Sequence, residues 1–134
     1  MRIKDIMNPN PFVLHEENSI LHASAFMKEK KIRNLPVVDK DNFLVGLLTY
    51  REIIDALASK NEKFLVKECM EKNVKAVEPD TPLKGAIEVM LVNKFGCLPV
   101  IDSDRKVIGL VTETDMLKAL HDLTSMPMGF YETT

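Results

Sequence analysis

Two short stretches carry the side chains best suited to chemistry. Thr112-Glu113-Thr114-Asp115 and Thr49-Tyr50-Arg51-Glu52 each set a threonine hydroxyl three positions ahead of a carboxylate. Each follows an apolar run, Ile108-Gly109-Leu110-Val111 or Val45-Gly46-Leu47-Leu48, so both fall where a buried strand gives way to a helix. A helix start leaves its first backbone N–H groups without intrahelical acceptors. With the hydroxyls of Thr112 and Thr114, those groups suit a phosphate. The same spacing is also a capping box, in which threonine and carboxylate satisfy the orphan donors with no ligand at all. One threonine can serve both roles. In the first stretch Glu52 stands where the second has Asp115, and glutamate is the better capping-box residue, so this end is expected to bind weakly or differently. Arg51 and Arg33 carry planar forks that fit phosphate oxygens, or else form plain solvated surface. Thr49, Arg51, Glu52 and Arg33 therefore make a possible second site.

Other chemistry finds no support. The sequence lacks a Gly-x-Gly-x-x-Gly loop, a phosphate-binding Gly-Lys-Ser/Thr loop and a Gly-x-Ser-x-Gly elbow. His15, His22 and His121 stand apart from one another, and Cys69 and Cys97 have no histidine neighbour, so no catalytic group and no metal site is expected. The thiols fit a reducing compartment better than a disulfide framework, which points to the cytoplasm. Eighteen basic and twenty acidic side chains give a formal charge of -2, and that balance offers no field to attract a nucleic acid. The charges in Met1-Arg2-Ile3-Lys4-Asp5-Ile6-Met7 do not fit a signal peptide, and no apolar segment reaches membrane-spanning length.

The elements that must position these groups occur twice. Shifting the chain by 63 residues aligns Lys4–Ala58 with Lys67–His121 and gives 16 identities in 55 positions; self-similarity at a fixed period marks repeated supersecondary units. Leu35–Val38 and Phe43–Leu48 are apolar runs around Asp39-Lys40-Asp41-Asn42, and Leu98–Ile101 and Val107–Val111 repeat them around Asp102-Ser103-Asp104-Arg105. Each pair predicts a hairpin. Ser19 is expected to open a helix carrying Ile20, Ala23, Phe26 and Met27. Thr81-Pro82 should open its twin, with Thr81 as cap. Further helices are expected after Thr49, with Ile53, Ile54 and Leu57, and after Thr112, with Met116, Leu117 and Leu120. A short strand near Phe12–Leu14, and another near Ala76–Val77, completes each copy. The result is an α/β (α+β) fold of two βαββα repeats, 1–62 and 63–124, packed sheet to sheet about a pseudo-twofold axis, with a C-terminal tail, 125–134. Met126 to Tyr131 is apolar enough to dock on a partner or a second subunit.

An early methionine (Met7, Met70), a Leu-Pro-Val-(Val/Ile)-Asp strand, a Gly-apolar-apolar-Thr strand end and an acidic residue three positions on recur in order in both copies. This set resembles the CBS domain, in its usual tandem pair or Bateman module, over about 120 residues. The resemblance implies a regulatory module, not an enzyme, that binds an adenine nucleotide or adenosyl compound in a cleft between repeats and often forms a homodimer. AMP, ADP, ATP and S-adenosylmethionine are the implied candidates, with no obligatory cofactor. Asp115 matches the family's carboxylate for the ribose hydroxyls. By family geometry its cleft would also draw on Pro11, Phe12, Ile32, Gly96 and Cys97. With no effector domain expected in the chain, output would pass to an effector protein, or the protein would act as a ligand buffer. The rival reading is an interaction or dimerisation module with no small ligand.

Overall fold

The computed structural model describes residues 1–59 and 64–124; the expectation for the tail lies outside them. The first repeat forms β1 (Leu14–His15), α1 (Ile20–Lys30), β2 (Asn34–Val38), β3 (Leu44–Thr49) and α2 (Tyr50–Ala58). A four-residue helix α3 (Val66–Cys69) leads into α4 (Leu83–Asn93), β4 (Cys97–Ile101), β5 (Val107–Thr112) and α5 (Glu113–Leu123). A 3-10 turn at Ile3–Asp5 stands at the start, in the place that α3 holds for the second repeat.

Both hairpins form for the same local reason. Asp39 Oδ1 accepts the N–H groups of Asp41 and Phe43, and Asp102 Oδ1 those of Asp104 and Lys106, so each aspartate templates its own turn. The last turn residue, Asn42 or Arg105, adopts a left-handed φ of 69° or 65°. Even the bulge repeats, falling between Val37 and Val38 in one copy and between Val100 and Ile101 in the other. Both first helices end on a left-handed lysine, Lys31 or Lys94.

Ser19 caps α1 by accepting the His22 N–H. Its expected twin differs: α4 is capped at Pro82, while the Thr81 hydroxyl accepts the Glu78 N–H and so belongs to the preceding turn. The second first-strand reduces to a single parallel bridge, Val77 to Val100, where β1 pairs two residues with β2.

The two copies interlock by exchanging their entry segments. Ile3, Ile6 and Met7 pack into the core of the second repeat, among Leu83, Ala86, Met90, Leu98, Val100 and Val111. Reciprocally, Phe64, Val66, Cys69 and Met70 pack against Ile20, Met27, Leu35, Leu48 and Ile53 of the first. The backbone repeats the exchange at the same 63-residue offset, since Asn8 bridges Leu110 while Glu71 bridges Leu47. Phe43 bridges Lys106, its own equivalent. A contact between equivalent residues lies on a twofold axis, and contacts in reciprocal pairs lie around one. Val38, Leu44, Ile101 and Val107 form the apolar cluster at that axis.

Glycine leaves room where entry segment meets hairpin, since a Cβ there would push the methionine side chain aside. A Cβ at Gly109 would lie 2.6 Å from Met7 Sδ and 3.2 Å from the Asn8 carbonyl oxygen, and Gly46 meets Met70 in the same way. The early methionine and the strand glycine are therefore two halves of one contact, made between repeats.

Candidate functional site

Asp115 sits in the first turn of α5 and is held from behind. Its Oδ2 accepts the Thr112 N–H at 2.8 Å and the Thr112 hydroxyl at 3.0 Å, while Thr112 Oγ1 accepts the Asp115 N–H at 3.3 Å. The capping box is therefore formed, and it uses one carboxylate oxygen. Oδ1 has no hydrogen-bond partner among the described residues and can accept from a ligand. The Glu113 N–H is bonded to the Gly96 carbonyl at 3.1 Å. Of the three N–H groups that open the helix, Thr114's is the one with no partner among the described residues.

A cleft of about 400 Å³ opens in front of this turn, within the usual range for a small-molecule site. Thr112, Thr114, Asp115 and Leu110 line it from the second repeat; Lys31, Ile32, Arg33, Asn34 and Asn8 line it from the first. The pseudo-twofold packing explains the pairing, because it sets the Leu-Pro-Val strand start of one repeat against the helix start of the other. Asn8 belongs to the wall through its bridge to Leu110.

The expected set divides on this geometry. Thr112, Thr114, Asp115 and Ile32 come together. Pro11, Phe12, Gly96 and Cys97 do not line the cleft, and Arg33, expected at the other site, does. Phe12 turns onto α1 instead, edge-on to Phe26 at 5.3 Å with the Lys30 ammonium 5.4 Å from its centroid. Gly96 and Cys97 are the equivalents of Arg33 and Asn34 by the repeat offset, so the twofold assigns them to the Thr49 side. The Cys97 thiol accordingly responds to Glu52: burial, then the charges of Glu113 and Glu52, push its pKa up to about 12. Such a thiol is inert at neutral pH.

The Thr49 end reverses an expectation. The Thr49 hydroxyl donates to the Glu52 carboxylate, yet Thr49 accepts no backbone N–H in return. The reciprocal box forms at Asp115, where the shorter side chain keeps its carboxylate beside the Thr112 backbone. Arg51 is exposed. Lys31, Asn34, Asn8 and Leu110 were missed as lining residues. The repeat alignment held a signal for one of them: Lys31 and Lys94 are identical and stand three residues before a strand.

The CBS domain family matches the chain twice, over residues 3–59 and 66–122. The chain belongs to the CBS-domain family. A CBS domain pair solved in complex with 5-methylthioadenosine and S-adenosyl-L-methionine is 30% identical, with a TM-score of 0.86 over 92% of this chain and 98% of that one. CBSX2 in complex with AMP is 30% identical, with a TM-score of 0.82 over 91% and 97%. A 17.7 kDa protein of Acidianus ambivalens is 34% identical over 96% of this chain and 78% of its own. Homoserine O-acetyltransferase of Methanohalobium evestigatum is 39% identical over 90% of this CBS pair, but the match spans 24% of that enzyme. Its activity therefore does not come with the match. No helix among the described residues is long and apolar enough to cross a membrane.

Proposed function

We propose that this CBS pair is a regulatory sensor that binds an adenine nucleotide or adenosyl compound in the Asp115 cleft. One observation carries the reading: Asp115 lines a 400 Å³ cleft built from both repeats and keeps one carboxylate oxygen without a partner among the described residues. A ligand there touches both halves of the twofold. Its differential affinity for two arrangements of the repeats is the signal. Relatives solved with AMP and with S-adenosylmethionine and methylthioadenosine support the ligand class.

In this reading the chain is regulatory, not catalytic, and acts in the cytoplasm as a homodimer that passes its signal to an effector protein. Residues 1–62 and 63–124 are its repeats and 125–134 its tail. The Thr49, Arg51 and Glu52 end is a weaker second site.

Thermal unfolding against a panel of adenosyl and guanosyl ligands tests the proposal. A ligand at about a hundred times its Kd should add about 2.7 kcal/mol, a rise of several degrees in Tm. The adenosyl ligand should shift the wild type and leave Asp115→Ala unmoved. If no ligand shifts either protein, the interaction-module reading replaces this one.

A further inference from the structure

The Asp115 cleft does not end at its own wall. Lys31, Ile32 and Arg33 also line a larger groove of about 900 Å³, which continues past Met27, Lys28, Ser24 and Tyr50. Ser24 and Lys28 stand one turn apart on α1, and Lys31 is the left-handed residue that ends it. Tyr50 opens the facing helix α2, and its N–H is bonded to the Arg33 carbonyl at 2.9 Å. The groove thus carries two ammonium groups, a guanidinium and two hydroxyls, and no carboxylate among the described residues lines it. None of the three cations has an ion-pair partner among the described residues.

Lysines near a helix C-terminus are ordinary, since they complement its dipole. The second repeat supplies the control. At the 63-residue offset Ser24, Lys28, Arg33 and Tyr50 become Ile87, Leu91, Gly96 and Glu113, and only Lys31 keeps its charge, as Lys94. The fold therefore does not demand a basic groove at this position. It is particular to the side that adjoins Asp115.

We infer that this groove takes the anionic chain of the molecule whose nucleoside sits at Asp115, so that the ligand is a nucleoside carrying two or more phosphates. The inference rests on the adenosyl reading above and narrows it. Arg33, in the wall shared by cleft and groove, and Lys31 meet the first phosphates with charge-assisted hydrogen bonds. Lys28, one turn back along α1, meets the distal ones. A sulfonium such as S-adenosylmethionine would bring a positive charge towards three cations and is disfavoured.

Calorimetric titration of the full chain with adenosine, AMP, ADP, ATP and S-adenosylmethionine tests this, using wild type, Lys28→Ala and Asp115→Ala. ATP should bind at least about tenfold tighter than AMP, a gain of about 1.4 kcal/mol. Lys28→Ala should weaken ATP about fivefold and leave AMP unchanged, and added salt should weaken ATP more than AMP. Lys28 is exposed, so its variant keeps the fold. If AMP and ATP bind alike, or S-adenosylmethionine binds tighter than ATP, the groove assignment fails while the adenosyl reading stands. If no adenosyl compound binds, both fall.

Discussion

Cys97 shows how a single side chain ties the site to the stability of the whole. It lies on β4 with 2% of its surface exposed, and deprotonation there would place a thiolate in an apolar wall near Glu113 and Glu52. The folded thiol therefore titrates at about 12, against an ordinary value of 9.0. Between these values the unfolded chain releases a proton that the folded chain retains. The unfolded state then binds fewer protons, so stability falls as pH rises. The contribution is intact below pH 9.0 and lost progressively up to about 12, with a limiting slope of about 1.4 kcal/mol per pH unit. The comparison is made against a variant that lacks only this thiol. Urea unfolding across pH 8 to 11 should give a shallower decline for Cys97→Ala than for wild type; equal slopes would show that the thiolate costs the folded state nothing. The helix start that sets Thr112, Thr114 and Asp115 along one cleft was legible in the sequence, because a strand end, a hydroxyl and a carboxylate are local features. Arg33 was expected beside Thr49 and lines the Asp115 cleft instead, since the spacing of residues says nothing about which cleft a side chain turns towards.

At the scale of elements, the helices were expected to bury apolar stripes that the single chain does not fully bury. On α2 Ile53 and Ala56 are buried, yet Ile54 is 49% and Leu57 40% exposed. Their equivalents on α5, Leu117 and Leu120, are 66% and 58% exposed. Packing inside the chain buries Ile53 and Ala56 on α2 and Ala119 on α5, and the rest of the stripe faces outward at matched positions in both repeats. A hydrophobic pattern reports that a face is apolar, not what covers it. The homodimer proposed above supplies the cover. Replacing Leu117 and Leu120 together by glutamate should halve the sedimenting mass while helical circular dichroism is unchanged, because neither residue belongs to the monomer core. A wild-type protein that already sediments as a monomer, or a double variant that stays dimeric, would remove the assignment of this face.

The molecule as a whole differs from two beads on a string, and the period that revealed the repeats could not reveal why. An offset of 63 fits entry segments folded back on their own hairpins as well as it fits exchange, because both arrangements place equivalent residues in equivalent surroundings. Exchange is decided by the long-range contacts of Ile3 and Val66, each fully buried in the other repeat's core. It follows that damage to the first few residues is felt in the second half of the chain. Ile3→Ala removes a fully buried side chain and should cost about 2–4 kcal/mol. The loss belongs to the cluster of Leu83, Leu98, Val100 and Val111, so amide hydrogen exchange should quicken first in α4, β4 and β5, before β2 and α1. The same contact bears on signalling, since Asn8, five residues after Ile3, lines the Asp115 cleft. A ligand that orders Asn8 steadies the entry segment and the core it plugs, so it should slow exchange in α4 and β4 beyond the residues it touches. Protection confined to the cleft walls would show that binding and the exchanged core are uncoupled.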